Sequence, residues 1–306
     1  MDGASILGPR GSRCAVLARA LDEPLAGTAP EASRWLCVEQ SNAWPQNVSA
    51  PRDPILQALA RRAAGSGWRL LLIRRPGRRA QPSTPSRPVT VFLADTDPAG
   101  PRLARLSRRP ADLAGLALPR GEEPLPGTPV AEPLLLVCTH GRQDRCCALD
   151  GRALVNAVTT GCPEITPQVW ESSHLGGHRF APTALVLPTG YLYGRLDPAT
   201  AIEVHKAAAH GEMEPLLCRG RSTWSAAGQV AELAVRRETG LREAAALRVQ
   251  PIPAGGEVIV TAADGRCWAV TVERAAAGGT RPVSCGADPT PVTTVRAGAV
   301  RELSLG

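Results

Sequence analysis

Lysine and aromatic side chains are the scarcest features of this sequence. Lys206 is the only lysine, whereas arginine is abundant, and aromatic residues make up 3% of the chain. So few rings exclude the stacking platforms on which single-stranded nucleic acids are bound. The net charge of +7 therefore reflects an arginine-biased composition, and we expect no nucleic-acid partner.

Long apolar runs are also missing. No stretch approaches the ~18 uninterrupted apolar residues of a membrane span, and no charged-then-apolar leader opens the chain. We therefore expect no membrane association and a cytoplasmic location. In a reducing compartment, nine cysteines do not predict a disulfide framework and point instead to cysteine chemistry or a metal centre.

The basic excess lies in the first part of the chain. Residues 1–126 hold 18 arginines against 11 acidic residues, whereas residues 127–306 are neutral. The densest group surrounds a proline-rich loop and consists of Arg74, Arg75, Arg78, Arg79 and Arg87. Such a patch can meet phosphate or an acidic protein. Either it is a solvated loop, or an acidic redox partner docks near Arg74–Arg87.

The pattern of apolar segments predicts an α/β (α+β) fold made of two similar halves. Each half reads as a strand, a helix, three further strands and a second helix. The helix between the first two strands implies that they pair in parallel, and the closely spaced strands after it imply antiparallel pairing. Such mixed β-sheets with flanking helices are typical of thioredoxin-like folds.

Composition predicts four regions. They are an N-terminal thioredoxin-like half over 1–118, a linker over 119–132, a second thioredoxin-like half over 133–218, and a C-terminal helix and β-hairpin extension over 219–306. Proline and glycine mark the linker. In the extension, Asp264-Gly265 predicts a type I′ turn, and Cys267 and Cys285 are expected to be ordinary buried thiols.

The chemistry-bearing residues concentrate in one segment. Four of the nine cysteines lie between positions 138 and 162, and three of the five histidines lie between positions 140 and 178. Cys138 ends an apolar strand and Cys147 precedes a helix, so both thiols can face one point. Two glycines between His174 and His178 let the backbone curl until the imidazoles converge. Thiolates and neutral imidazoles bind zinc or iron, so the segment predicts a metal centre.

Other chemistries fit this segment less well. A thioredoxin-type dithiol needs a Cys-x-x-Cys motif, which the sequence lacks, and structural zinc usually needs the same knuckles. Residues 138–140 match the first half of a Rieske motif, but no Cys-x-x-His follows. A Cys–His hydrolase needs one nucleophile, whereas Cys146 and Cys147 are adjacent. We expect Arg142 and Arg145 to hold the thiolates deprotonated.

Three stretches resemble one known family: VCTHGRQDRCCALDGRAL (137–154), VWESSHLGGHRFAPTALVLPTGYLYGRLDP (169–198) and RGRS (219–222). They are similar to the sucrase/ferredoxin-like family, whose cluster domain is related to thioredoxin-like [2Fe–2S] ferredoxins. The resemblance implies a [2Fe–2S] cluster with two cysteines on one iron and two histidines on the other. The implied ligands are Cys138, Cys147, His174 and His178, with Cys146 as the alternative to Cys147. The resemblance thus implies a ferredoxin domain with the [2Fe–2S] site over 133–218 and no cluster in the half over 1–118.

The implied function is electron transfer rather than enzymatic catalysis. Neutral imidazoles leave a cluster less negative than thiolates do, which raises its potential, and a proton on the outer nitrogen can couple to the electron. The donor or acceptor would be a separate protein, since no flavin or nicotinamide fingerprint is present. The alternatives are a metal-stabilised scaffold for an acidic partner and a redox-sensing iron–sulfur protein. A sucrase activity is not supported, because no pair of carboxylates flanks an aromatic sugar cleft.

Overall fold

A ten-stranded mixed sheet with flanking helices, followed by a four-stranded sheet, makes up the molecule. The computed structural model describes residues 13–77, 87–250 and 257–304. The mixed ten-stranded sheet and its flanking helices confirm the expected α/β (α+β) class. None of the helices in these ranges has the length and hydropathy needed to cross a membrane.

The first half of the large sheet is built around a parallel pair of strands. Its elements are α1 Cys14–Ala20, β1 Arg34–Glu39, α2 Pro54–Gly65, β2 Arg69–Arg74, β3 Val89–Asp95, β4 Arg102–Arg108 and the short β5 Thr128–Pro129. β1 pairs in parallel with β2 and antiparallel with β3. Helix α2 begins where the Asp53 carboxylate accepts the Leu56 N–H at 2.9 Å, and Pro54 occupies its first turn, as helix starts prefer.

The second half repeats this pattern. Its elements are β6 Leu134–Cys138, α3 Arg152–Gly161, β7 Val169–Ser172, β8 Ala184–Leu187, β9 Tyr191–Tyr193, α4 Pro198–Ala209 and β10 Cys218–Arg221. β6 pairs in parallel with β7 and antiparallel with β8. The Asp197 carboxylate caps α4 by accepting the Thr200 N–H at 2.9 Å, and Pro198 follows it in the first turn, as helix starts prefer.

The two halves join edge to edge in one sheet. The strand order is β10-β9-β8-β6-β7-β2-β1-β3-β4-β5, so the order 2-1-3-4 of the first half recurs as 7-6-8-9 in the second. β2 and β7 pair antiparallel at the junction, with Ile73 opposite Ser172 and Arg74 opposite Glu171. The loop that carries the two histidines therefore starts at the centre of the sheet, immediately after β7.

The C-terminal region is larger than a hairpin. Its elements are α5 Ala226–Thr239, β11 Leu247–Val249, β12 Glu257–Ala262, β13 Cys267–Pro282 and β14 Pro289–Glu302. The four strands form an antiparallel sheet in sequence order, and α5 packs against it through a shared apolar cluster. The hairpin between β12 and β13 is confirmed, and the sequence pattern missed β11 and β14.

The prediction of a type I′ turn at Asp264-Gly265 is wrong. That turn needs a positive φ at both central residues, but of these two only Gly265 has one, at +93°. The Asp264 carboxylate instead accepts the backbone N–H of Arg266 at 3.1 Å and pairs with its guanidinium at 2.7 Å. These local bonds stabilise a longer loop, closed by the Ala262 N–H donating to the Arg266 carbonyl at 2.8 Å.

Candidate metal centres

Cys138 lies at the end of β6, buried between the two neighbouring strands. Its N–H donates to the Thr183 carbonyl at 3.0 Å, which fixes the strand end, and its side chain is 1% exposed. The sulfur accepts hydrogen bonds from the Cys147 thiol and from the backbone N–H of His140, and the His174 ring lies beside it. Cys138, Cys147 and His174 are therefore brought together.

Cys147 opens a single π-helical turn, Cys147–Gly151, that leads into α3. Such wide turns occur often at functional sites. The turn passes so close to β6 that a Cβ at Gly151 would lie 2.0 Å from the Cys138 carbonyl oxygen. Glycine at this position is what allows Cys147 to approach Cys138.

The loop with both histidines is anchored at its start and curled by glycine. Ser173 donates its N–H to the Leu72 carbonyl at 2.7 Å and accepts the Leu72 N–H on its hydroxyl at 2.9 Å. Gly176 and Gly177 have φ of +83° and +69°, a conformation that other residues rarely adopt. The rings of His174 and His178 consequently lie 5.3 Å apart, as the sequence predicts.

Both histidines present a buried nitrogen with no hydrogen-bond partner among the described residues. For each ring this atom is Nδ1. The Nε2 of His178 lies 2.6 Å from the Val283 carbonyl oxygen, so it carries the proton and donates it there, which leaves Nδ1 with a free lone pair. Burial lowers the pKa of His178, so the ring is neutral, as a metal ligand requires.

The two thiols beside these rings differ in their acidity. The hydrogen bond from Cys147, together with the contact with His174, holds the pKa of Cys138 well below the usual thiol range despite burial. The same hydrogen bond, in which Cys147 is the donor, and burial raise the pKa of Cys147. Cys138 is therefore the more acidic of the two thiols.

Arg219 supplies the positive charge of this site. Its side chain is fully buried, and burial lowers its pKa to about 9, opposed by the nearby charges of Cys147 and Cys138. It donates to the Gly176 carbonyl at 2.9 Å and to the Thr28 hydroxyl at 3.0 Å. A Cβ at Gly177 would lie 2.3 Å from this guanidinium. Arg219 therefore both supports the histidine loop and offsets thiolate charge.

The expected influence of Arg142 and Arg145 on the thiols stays a prediction. Both side chains are exposed to solvent, whereas Asp144 of the same loop is buried. Proximity in sequence suggested Arg142 and Arg145 as the cations near the thiols. The fold places Arg219 of β10 beside these thiols. The RGRS stretch at 219–222 was the only sequence signal for this residue.

A second group of donor atoms lies next to the first. Cys14, Asp144, Cys146 and Cys285 place their donor atoms within 4.8 Å of one another, so this Cys/Asp group could hold a metal ion. Cys146 belongs to it, with its sulfur 3.6 Å from that of Cys14 and 3.4 Å from that of Cys285. The adjacent cysteines 146 and 147 thus face different groups.

Sequence reasoning missed Cys14, Asp144 and Cys285 as site residues. Cys14 and Cys285 stand 130 and 141 positions away from Asp144, so no local spacing connects them. The proposed cluster uses two of the nine cysteines, and the sequence pattern treats Cys14 and Cys285 as structural thiols.

The arginine patch is partly engaged with the protein's own side chains. Arg74 pairs with Glu171 at 2.6 Å and lies over the Trp44 ring at 4.4 Å, while Arg75 lies 3.8 Å over the Trp170 ring. Arg87 is exposed, and Arg78 and Arg79 fall outside the described residues. Docking of an acidic partner at Arg74–Arg87 stays a prediction.

Comparison with known proteins gives one match. A family model described as sucrase/ferredoxin-like matches residues 25–220, which is more than half of the chain. No curated protein and no solved structure matches. The matched range includes the site around Cys138 and Arg219 but neither Cys14 nor Cys285. The chain belongs to the sucrase/ferredoxin-like family.

Proposed function

We propose that this protein is an electron carrier whose [2Fe–2S] cluster is held by Cys138, Cys147, His174 and His178. The observation that carries the proposal is the pair of buried, unpartnered Nδ1 atoms on His174 and His178, next to two buried thiols. A buried polar atom without a partner is costly, and a metal ion is the partner that imidazole nitrogens and thiolates have in common.

The residues present fit a cluster with mixed ligation. When bound, the group would accept and release one electron, at a potential raised by its two neutral ligands. Arg219 offsets thiolate charge, and Leu175 is fully buried in the same apolar cluster as Cys138 and Cys147, which limits the access of water to the thiols. Such control of charge and solvent access tunes potentials in iron–sulfur proteins.

The two histidines differ in how they can hold a proton. His178 donates its Nε2 proton to the Val283 carbonyl, and the Asp144 carboxylate lies 3.7 Å from the same nitrogen. Both contacts favour retention of that proton. His174 lines a cavity of about 850 Å³ together with Gln143 and Glu31, so this residue lies where solvent can enter. We assign any proton coupling to His174.

Metal and sulfide analysis tests the proposal. Protein expressed under iron-replete conditions and purified without oxygen should contain two irons and two acid-labile sulfides per chain, with visible absorption. Colourless protein without iron would overturn the proposal. A redox sensor would contain the same cluster but would change its partner or DNA binding with redox state.

A second function is favoured by the Cys/Asp group. If the metal in this protein were confined to Cys14, Asp144, Cys146 and Cys285, the chain would be a metal-stabilised scaffold. Such a protein would contain zinc and show no visible absorption. The same metal analysis therefore separates the two functions.

A further inference from the structure

We propose that Cys14, Asp144, Cys146 and Cys285 bind a structural zinc ion that fastens both ends of the chain to the loop preceding Cys147. This site is distinct from the one proposed for the iron–sulfur cluster, and its existence does not depend on that cluster.

The spacing of the donor atoms matches a tetrahedral zinc site. The three sulfurs are 3.6 Å (Cys14 and Cys146), 3.4 Å (Cys146 and Cys285) and 3.7 Å (Cys14 and Cys285) apart. The Asp144 Oδ1 atom lies 3.7 Å from the Cys14 sulfur and 3.4 Å from the Cys285 sulfur. Ligands at the usual zinc distances stand about 3.8 Å apart for two sulfurs and about 3.5 Å apart for sulfur and oxygen.

Charge gives a second, independent reason for a cation. Asp144 is 3% exposed, and its oxygens accept the N–H groups of Cys146 at 2.7 Å and Cys285 at 2.8 Å. Among the described residues no arginine or lysine pairs with it, and the basic group it meets is His178 at 3.7 Å. These contacts hold the pKa of Asp144 below its ordinary value despite burial. An ionised carboxylate therefore faces three thiols without an arginine or lysine partner among the described residues, and a cation completes such a donor set.

A disulfide explains the group less well than zinc does. A disulfide needs two sulfurs at about 2.05 Å, whereas all three sulfurs here are about equally far apart. It would also use only two of the three thiols and would supply no cation to the Asp144 carboxylate. Sulfur-rich tetrahedral sites with closed coordination are typical of structural zinc, and Cys14 and Cys146 are fully buried.

The site joins segments that are far apart in sequence. Cys14 begins α1, Cys285 lies in the turn between β13 and β14, and Cys146 precedes the π-helical turn. The Glu23 carboxylate ties the same regions together, pairing with Arg281 at 2.6 Å and Arg179 at 2.8 Å. Zinc would thereby fix the β13–β14 turn, whose Val283 carbonyl holds the His178 ring.

Metal content of the full-length protein tests the site. Protein expressed with zinc and iron should contain one zinc per chain, and zinc-edge X-ray absorption should show three sulfur ligands and one oxygen ligand. The variants Cys14→Ser and Cys285→Ser should each lower the zinc affinity at least about tenfold. Cys267→Ser, which changes another half-buried thiol near the C-terminus, should retain zinc as the wild type does.

Several results would overturn the site. These are zinc-free wild-type protein with three titratable thiols or a disulfide, a single iron bound in place of zinc, or undiminished zinc in Cys14→Ser and Cys285→Ser. If a serine variant fails to fold, the wild-type spectrum decides, since fewer than three sulfur ligands contradicts the proposal. Iron counted in the same samples keeps the two proposals separate: absent zinc with intact iron overturns this one alone, and absent iron with intact zinc overturns only the electron-carrier function.

Discussion

Replacing Cys147 by serine is expected to remove iron and leave zinc in place, and replacing Cys146 by serine is expected to do the reverse. The reason is that the two neighbouring side chains face different groups. Cys147 donates to the Cys138 sulfur beside His174, whereas the Cys146 sulfur lies 3.4 Å from Cys285. Loss of a ligand should lower the content of the corresponding metal at least about tenfold, as measured by mass spectrometry of both metals in each purified variant.

The control for this pair is Cys37→Ser. Cys37 is fully buried in β1, the counterpart of β6 in the first half, but it lies two residues before the strand end, whereas Cys138 is the last residue of its strand. This variant should retain both metals. If the Cys146 and Cys147 variants lost the same metal, the assignment of two separate sites would be wrong, and Cys146 would regain its place as an alternative cluster ligand.

The second large effect is expected on the reduction potential. His174→Cys and His178→Cys should each retain the cluster and lower its potential by at least about 100 mV, because a thiolate adds negative charge where a neutral imidazole stood. Protein-film voltammetry between pH 6 and pH 10 measures both the potential and its dependence on pH.

The pH dependence should distinguish the two histidines. In the oxidised protein the outer N–H of a ligand histidine is the more acidic, so raising the pH removes that proton and favours the oxidised form. The wild-type potential should therefore fall with rising pH by up to about 59 mV per unit for one proton and one electron. His174→Cys should abolish this slope. His178→Cys should retain it, since the Nε2 proton of His178 is held by the Val283 carbonyl and Asp144.

A matched control for the histidine variants is His205→Asn. His205 is a buried histidine of α4 whose Nε2 also bonds a backbone carbonyl, that of Pro133, at 3.2 Å. Its replacement should leave both the potential and the slope unchanged. A wild-type potential in His174→Cys would remove that residue from the ligand set.

The parts of the site that depend on local spacing could be predicted from the sequence. The apolar run before Cys138 predicts the buried strand end, and the two glycines between His174 and His178 predict a curled loop, because both effects act within a few residues. The repeated order of strands and helices likewise predicts the mixed sheet, since short connections limit how neighbouring strands can pair.

The parts of the site that depend on tertiary packing could not be predicted from the sequence. Arg219 reaches the thiols from β10, and Cys14 and Cys285 meet Asp144 only because α1 and the β13–β14 turn converge on one loop. No periodicity or spacing encodes such meetings. The prediction of the Asp264-Gly265 turn was wrong for a different reason. The Asp264 carboxylate accepts hydrogen bonds from the backbone and the side chain of Arg266, which stabilise a longer loop than the dipeptide favours.

The most direct measurement of the central claim is pulsed electron paramagnetic resonance of the reduced protein with ¹⁵N-labelled histidine. Direct ligation by His174 and His178 predicts two strongly coupled histidine nitrogens in the wild type and one in each single His→Cys variant. A reduced cluster without strongly coupled histidine nitrogen would contradict the proposed ligand set.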